Sequence, residues 1–448
     1  MENTKQGQHL VAIIGAGPAG LYATRALAAA GVHVVLLNRD IKPGGLAEYG
    51  IYPDKYKMKE GLRNQFRQIL ASPQVDYYGN VRVGNRGDIP LDNLRQMGFQ
   101  AILTTVGAQG TKWLGLPGEN LCGVYHAKDL VYHYNKLPPF SEQPFEIGWR
   151  VAVIGAGNVM MDMAHWLVRE RKVSEMIAVV RRGPAEVKFD KREFEGVAAN
   201  VDLAALDAEL ARVTPTMQAI GQDPAQARAE ILAGLPRALP RVSDTRLRFE
   251  FLASPVRMIG NEAGQVAGLE VEDNTLRRAN DDTKARGLGT FRVLDVDTVI
   301  FAIGDRVEEQ FGLPLKGNEF AKNPTPSFPV EGISYEAFDP EKQSPVPGVF
   351  LAGWARVAST GLVGVARKDG ERGAKAVLQY LQTLPPADPA ALTRLPDYMA
   401  GLNRPIVTKA DVQRLEEIER EEAKQCGVEE YKFASNEEML ARCRGVRV

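Results

Sequence analysis

Cysteine is nearly absent from this chain, and the few thiols present are scattered. Cys122, Cys426 and Cys443 are the only three among 448 residues, and no two form a CxxC pair. That argues against a disulfide scaffold, a thioredoxin-reductase-like redox pair or an iron–sulfur cluster ligated by the chain itself. Any redox chemistry then falls to a bound cofactor. Excess charge of one sign is also missing. The 55 Lys and Arg against 56 Asp and Glu leave a formal charge of −1, so the chain as a whole has no electrostatic pull toward nucleic acid or anionic lipid. Long apolar runs are lacking too: Leu10 to Ile14 is cut at once by Gly15-Ala16-Gly17-Pro18-Ala19-Gly20. This is neither a signal peptide nor a spanning helix, and a cytoplasmic protein with no membrane or nucleic-acid partner is expected. The five histidines, His9, His33, His126, His133 and His165, lack metal-ligand spacing, and no nucleophile–base triad shows. No metal is expected.

What remains is the composition of a globular protein, 44% hydrophobic and 25% charged, at a length suggesting two domains with an appendage. The opening run Leu10 to Ile14 reads as a buried strand. The glycine turn follows, then a helix from about Ala19 to Ala30 ended by Gly31, and a strand from Val32 to Leu37. A GxGxxG pattern alone carries little; between a strand and a helix it predicts a dinucleotide cradle. Gly15 permits the tight turn, Gly17 lets the backbone approach a pyrophosphate, and Gly20 lets the helix pack closely on the strand. The helix N-terminus adds amide N–H groups and a positive dipole end. An acid gripping a ribose diol belongs at the end of the second strand; Asn38 stands there, with Asp40 as a substitute. A further strand near Ala101 to Thr105 closes in Val106-Gly107-Ala108, and Gly107 joins the candidate cofactor-binding residues.

From Val151 the pattern returns: Val151 to Ile154, then Gly155-Ala156-Gly157, a helix through about Val168 and a strand from Met176 to Val180. Met160 occupies the third position, where a bulky residue pushes the helix from the strand. The strand ends in Arg181-Arg182 instead of an acid. That removes the partner for a free 2′-hydroxyl and supplies two guanidinium forks for a 2′-phosphate, which predicts NADP(H) over NAD(H). A solvated arginine pair is the competing explanation.

Further along, residues 202–240 read as helix with Leu203, Leu206, Leu210 and Val213 on one face, then turns broken by Pro236 and Pro240. Strands are expected at Leu247 to Leu252, Val266 to Val271, Asp297 to Ala302 and Gly348 to Trp354, and a helix from near Leu362 to Leu381. Gly353-Trp354 with Thr360-Gly361-Leu362-Val363 forms a glycine turn into a helix N-terminus, suited to the electron-rich edge of a flavin. Trp354 fits a place near the nicotinamide and a place in the core equally well. Beyond Leu384-Pro385-Pro386, two amphipathic tail helices start at Thr408 with Asp411 and at Ser435 with Glu438. Docking on the chain's own body is the favoured use of both. Arg237, Arg241, Arg246 and Arg248 fit either a face for an acidic ferredoxin or, more simply, a solvated surface.

Together these pieces resemble the adrenodoxin reductase-like ferredoxin–NADP reductases and, more distantly, the small subunit of glutamate synthase. The likeness runs from about residue 8 to 382 and weakly into the tail. It is carried by the opening GAGPAG, by Gly45-Leu46 with Tyr49-Gly50-Ile51-Tyr52-Pro53-Asp54, and by Tyr78-Gly79-Asn80-Val81-Arg82-Val83-Gly84. Gly155-Ala156-Gly157-Asn158-Val159 with Asp162, Arg181-Arg182-Gly183-Pro184 with Glu193, and Gly353-Trp354 with Thr360-Gly361 complete it. The resemblance implies an α/β fold with two Rossmann-like dinucleotide-binding domains. The FAD domain would comprise residues 1–107 and 306–384, with the NADP domain (108–305) inserted and a helical C-terminal extension (385–448). It implies FAD contacts at Ala19, Asn38, Leu46, Val83, Trp354, Gly361, Leu362 and Val363. It implies NADP contacts at Ala156, Gly157, Asn158, Val159, Arg181, Arg182, Glu193 and Gly361. Asn38, Met160 and His165 depart from the family pattern of acid, small residue and arginine.

The implied mechanism is reversible hydride transfer between nicotinamide C4 and flavin N5, then one-electron exchange with a separate ferredoxin-like or flavodoxin-like protein, with no catalytic side chain. One alternative is a dedicated FAD/NADP(H) subunit serving the iron–sulfur subunits of a larger oxidoreductase, for instance one acting on a 2-oxoacid. The three departures and the tail lean mildly that way. A nucleotide-sensing scaffold without catalysis is the other alternative.

Overall fold

The structure, a computed structural model, describes residues 8–279 and 282–444. The chain forms two compact units: Met1–Gly110 with Tyr132–Glu142 and Asp305–Val448, and Thr111–Val131 with Gln143–Gly304. The sequence had put 108–305 in one domain and 385–448 in an extension. Tyr132–Glu142 joins the first unit because Tyr132 and Leu137 are buried against Tyr49. The tail joins it because its apolar stripes complete that unit's core.

The first unit is built on a six-stranded sheet ordered Glu336–Asp339, Ser344–Leu351, Ala101–Thr104, Leu10–Ile14, His33–Leu37, Val75–Tyr78. All neighbours pair in parallel except the first two. Because the sheet is covered on both faces, its strands are apolar throughout instead of alternating. Val11 and Ile13 feed one core cluster, while Leu10, Ala12 and Ile14 feed the other. Each such buried aliphatic side chain contributes about 1.5–3 kcal/mol. The helix Val363–Leu381 lies on Pro18–Ala29 so closely that a β-carbon on Gly370 would sit 2.1 Å from the Ala19 carbonyl oxygen.

The second unit carries a parallel five-stranded sheet ordered Val124–His126, Thr298–Phe301, Arg150–Ile154, Glu175–Val180, Arg246–Phe251. A three-stranded antiparallel sheet, Ala253–Gly260, Val266–Ala279 and Asp282–Leu294, adjoins it in sequence. Sequence patterning had indicated only a short piece of this sheet, because Asp282–Leu294 is exposed along most of its length and shows no apolar alternation. In residues 202–240, the helix Leu203–Ala219 is followed by a second helix, Pro224–Ile231, where turns were expected. Asp223 caps it by accepting from the Ala225 N–H, and Pro224 occupies the first turn, a start signal that was legible in the sequence. The expected apolar face holds for Leu206, Leu210 and Val213, whereas Leu203, next to the cap, is exposed.

Within the first unit the tail is integral. Val407 bridges Gly79 through paired backbone hydrogen bonds of 2.7 and 3.1 Å. The helix Lys409–Cys426 opens with a complete Thr408/Asp411 capping box, and Asn436–Cys443 with a Ser435 cap. A further tail helix, Ala391–Ala400, went unnoticed in the sequence. Val412, Leu415, Phe433, Met439 and Cys443 are buried in the unit's core cluster. An ionic network reinforces this docking. Arg63 grips Glu48 with two bonds of 2.7 Å; Lys42 pairs with Glu48 at 3.3 Å and also with Glu419; Lys432 pairs with Glu48 at 3.2 Å and Lys59 with Glu430 at 2.7 Å.

Although burial opposes its charge, Lys42, Lys432 and Arg63 together hold the Glu48 carboxyl well below its ordinary value. A carboxylate depressed in the folded state contributes stability above its unfolded value that is lost as pH falls through the folded one. Burial raises the Glu419 carboxyl, which acts with the opposite sign, so the informative quantity is a difference between variants. Glu48→Gln, which leaves three buried cations short of a counter-charge, is expected to cost about 3–5 kcal/mol at neutral pH. The gap in melting temperature from the parent chain should close as pH drops below about 4.5. A gap that stays constant with pH would count against the network.

Candidate functional site

Each parallel sheet has a switch point, a strand whose neighbours on its two sides are reached by connections running in opposite directions. In the first unit it is Leu10–Ile14, between His33–Leu37 and Ala101–Thr104; in the second it is Arg150–Ile154, between Glu175–Val180 and Thr298–Phe301. Ligands of open α/β sheets bind at the carboxyl ends of such strands. Both strands end there in a glycine turn of the same construction. The Gly15 N–H donates to the Leu37 carbonyl at 2.7 Å and the Gly155 N–H to the Val179 carbonyl at 3.0 Å.

The glycines divide into two kinds. At Gly15 (φ +102°) a β-carbon would lie 2.6 Å from the Thr105 carbonyl oxygen, and at Gly20 it would lie 2.0 Å from the Gly15 carbonyl oxygen, so these serve the protein's own packing. Gly155 (φ +143°) matches Gly15, its β-carbon falling 2.4 Å from the Ala302 carbonyl oxygen. At Gly17 and Gly157 nothing lies within 4 Å of the added atom, which leaves the space a pyrophosphate requires. Both also stand at helix N-caps with no side-chain acceptor, and Leu362 does the same before Val363–Leu381. The helices capped by Asp202, Asp223, Thr408 and Ser435 have their first-turn amides answered by side chains. Among the uncapped N-termini, those behind Gly17 and Gly157 have open space beside the glycine, which fits a phosphate.

Around the first cradle the fit is mixed. Asn38 is buried and committed to the chain. Its Oδ1 accepts from the Ala16 N–H at 3.0 Å and its Nδ2 donates to the Asp40 and Lys42 carbonyls at 2.9 and 3.0 Å. This amide braces the glycine turn against the loop that follows, and Asp40 is the acid at the strand end. That loop closes on the turn, the Gly44 N–H donating to the Ala16 carbonyl at 2.7 Å. Gly45 lies against Gly17, and Leu46 begins the short helix Leu46–Tyr49. Val83 is buried in a bridge to Ile89, and Gly107 turns with φ +71°. Ala19 lies under the Gly353 turn, where a β-carbon on Gly353 would come within 2.7 Å of it. Sequence patterning missed Asp369, a buried acid on Val363–Leu381. It accepts from the Gly353 N–H at 2.7 Å and from Tyr335 at 3.1 Å, and it pairs with Arg356. Trp354 is half-buried, its Nε1 donating to the Thr360 carbonyl at 3.0 Å, so the ring is held beside the Gly361-Leu362-Val363 turn.

The second cradle is lined by Ala156, Asn158 and Val159. The loop 183–190 is tied to it through the Lys188 N–H on the Ala156 carbonyl at 2.9 Å and the Asp190 N–H on Asn158 Oδ1 at 2.8 Å. Met160 is buried, and since Gly20 marks how little room a close-packed turn leaves there, its helix must stand farther from Gly155. His165 accounts for the missing arginine: its Nε2 reaches the Glu193 carbonyl at 2.6 Å and its ring lies under Gly196, fixing the helix Lys191–Glu195. At the strand end Arg181 is exposed and Arg182 half-buried, next to the exposed Lys188. The other candidate arginines are neutralised locally: Arg237 by Glu195 at 3.0 Å, Arg246 by Asp202 at 2.7 Å and Arg248 by Glu175 at 3.1 Å. Arg241 donates to the Ser243 carbonyl.

Residues 9–202 match the family described as pyridine nucleotide-disulphide oxidoreductase. Over 472 residues the chain is 28% identical to NADPH-ferredoxin reductase FprA of Mycobacterium tuberculosis, covering 96% of this chain and 98% of that protein. It is 26% identical over 386 residues to the mitochondrial NADPH:adrenodoxin oxidoreductase of Arabidopsis thaliana, covering 79% and 78%. The solved structure of M. tuberculosis FprA in complex with NADPH superposes with a TM-score of 0.80 at 25% identity, over 98% of this chain and all of that one. Fold and cradles define a pyridine nucleotide-linked oxidoreductase with two dinucleotide sites in one polypeptide. Within that class the chain is similar, over nearly its whole length, to the adrenodoxin reductase-like ferredoxin–NADP reductases.

The two kinds of glycine make a paired prediction. Gly17→Ala, with open space around the new methyl, should keep the parent's melting temperature without flavin yet weaken FAD binding about tenfold or more, as read by fluorescence titration. Gly20→Ala should instead destabilise the fold by roughly 1–3 kcal/mol through overpacking. Equal loss of stability in both variants would refute the division.

Proposed function

We propose that this chain is an FAD-dependent NADPH oxidoreductase that passes electrons singly to a ferredoxin-like iron–sulfur protein. The observation that carries this is the pair of switch-point cradles, each with an open glycine before an uncapped helix, the later one beside paired arginines. Bound FAD would supply the conversion of a two-electron hydride from NADPH into single electrons for the acceptor.

The chain's own residues bind and orient. Amides at the start of Pro18–Ala29 hold the flavin nucleotide's phosphates, Asp40 offers a carboxylate to its ribose, and Leu46 and Val83 line its site. Asp369 braces the Gly353 turn, and Trp354 with the Gly361-Leu362-Val363 turn would help hold the flavin, the uncapped helix N-terminus behind them being able to stabilise negative charge. Gly157, Asn158 and Val159 cradle the pyrophosphate of NADP(H). Arg181, Arg182 and Lys188 take the 2′-phosphate, and Glu193 lies on the helix that His165 fixes. No side-chain acid or base is required.

A freestanding reductase is favoured over a subunit of a larger 2-oxoacid oxidoreductase. The relatives that match nearly the whole chain bear reductase names, and the tail that leaned toward a complex is spent on the chain's own core. The ferredoxin-like acceptor is favoured over a flavodoxin on the same relatives. Cytoplasmic residence belongs to the same proposal, since Cys122 and Cys426 are exposed free thiols suited to a reducing compartment. No helix among the described residues is long and apolar enough to cross a membrane.

Anaerobic stopped-flow mixing of the flavin-loaded protein with NADPH should bleach the flavin band, and a ferredoxin should then restore it. Absence of bleaching would leave only a nucleotide-sensing scaffold. Replacing Arg181 and Arg182 by Ala should weaken NADPH by about 1.5–3 kcal/mol per lost contact, roughly tenfold to hundredfold each, and leave NADH nearly unchanged. Equal losses for the two nucleotides would defeat the 2′-phosphate assignment.

A further inference from the structure

Resting on the assignment of the Arg181-Arg182 end to the 2′-phosphate, one neighbour has a position that bears on nucleotide choice. Asp282, at the start of the strand Asp282–Leu294, reaches back to the arginine pair, its Oδ1 lying 2.9 Å from Arg182 Nη1. The same oxygen accepts from the Thr283 N–H at 2.9 Å. The backbone N–H of Thr283, and then the nearby charges of Arg182 and Lys188, hold this carboxyl below its ordinary value. One carboxylate oxygen thus has a guanidinium N–H, a backbone N–H and a lysine field around it, a set of donors that would equally serve a phosphate oxygen.

The arrangement is anchored on both sides. Glu186 Oε1 accepts from Thr283 Oγ1 at 2.7 Å and from Gln222 Nε2 at 2.5 Å, tying the strand start to the loop after the arginines. Asn274 Nδ2 donates to the Arg181 carbonyl at 2.9 Å, and the Leu252 N–H to the Arg182 carbonyl at 3.0 Å, so the arginine backbone is fixed from the antiparallel sheet and from the residue that precedes it. Arg181, by contrast, is exposed and forms no ion pair among the described residues. The two arginines are therefore unequal: one is free for a ligand and the other already has an anion.

We infer that Asp282 is a built-in competitor for the nucleotide 2′-phosphate, a specificity-setting residue whose carboxylate holds Arg182 until a 2′-phosphorylated nucleotide displaces it. Nucleotides with a free 2′-hydroxyl do not need Arg182 and leave the pair intact. The competition is mild by construction. Asp282 is 71% exposed in its side chain, so water screens the pair, and a phosphate carrying more charge and more acceptor oxygens prevails. The effect is a lower affinity for the phosphorylated nucleotide than the bare arginine pair would give, and hence faster exchange of NADP+ for NADPH.

The test is calorimetric titration of the flavin-loaded protein with NADP+, 2′-AMP, NAD+ and 5′-AMP. Asp282→Asn should tighten NADP+ and 2′-AMP by roughly two- to fivefold, the range of an exposed pair, and leave NAD+ and 5′-AMP unchanged. The gain should shrink at high salt and vanish in an Arg182→Ala background. Unchanged or weaker NADP+ binding in both Asp282→Asn and Asp282→Ala would overturn the inference. Failure of the underlying assignment looks different: the parent chain would bind NADP+ and NAD+ alike, or replacing both arginines would weaken the two equally.

Discussion

Two backbone segments can run within touching distance only where a side chain is missing, and the first unit depends on that constraint. The carbonyl of Gly15 faces Gly20 at a separation that would put a β-carbon 2.0 Å from the oxygen, and the carbonyl of Ala19 faces Gly370 in the same way. The opening helix is thereby pressed between the strand that precedes it and the helix that returns at Val363–Leu381. Its N-terminus, capped by nothing but Gly17, points out over the carboxyl edge of the sheet. Structural glycines fix the direction, and the open glycine leaves room for what the direction is for. In the second unit Gly155 repeats the first role and Gly157 the second, while a buried Met160 takes the place of the third glycine.

Around this backbone the two units solve their electrostatics differently. The first uses buried charge as an anchor. Glu48 with Lys42, Arg63 and Lys432 binds the loop under the glycine turn to residues more than 350 positions later, and Asn38 carries the connection on to Ala16. Removing one member strands the others without a counter-charge, so the tail is structural. The second unit also buries carboxylates, Glu175, Glu209 and Glu250, against arginines, but the arginine pair after its second cradle strand faces a more exposed partner. Arg181, Arg182 and Lys188 stand at a strand end, with Arg182 held by the exposed Asp282 carboxylate and not by a buried one. A clamp suits a cofactor that stays, and an exposed, contested pair suits a nucleotide that exchanges every turnover.

Much of this was legible in the chain's order of residues, but unevenly. Both strand–turn–helix openings, the capped tail helices and the arginines at the second strand end followed from local patterns whose causes are local: periodicity, caps and missing side chains. The antiparallel sheet was mostly invisible, since Asp282–Leu294 is an exposed edge with no apolar alternation. The helix Pro224–Ile231 was overlooked in an Ala- and Arg-rich stretch despite its cap. Within the site, the bonds that Asn38 makes inside the chain could not be read from its motif position. A residue type at a motif position says what it can bond, whereas the Ala16 N–H and the Lys42 carbonyl had already claimed its amide.

The sequence by itself determined that two strand–glycine turn–helix openings are present, that the second is followed by a strand ending in paired arginines where an acid is usual, and that the three cysteines form no CxxC pair. Glycine spacing and charge type act over a few residues and need no tertiary contact to be read. Only the tertiary structure decided which glycines are packed and which are open, that Asp369 holds the Gly353 turn, that the tail belongs to the first unit's core, and that Asp282 shares Arg182. Each of these depends on groups brought together from distant parts of the chain. Proximity of that kind is set by the packing of whole elements, which no local pattern encodes.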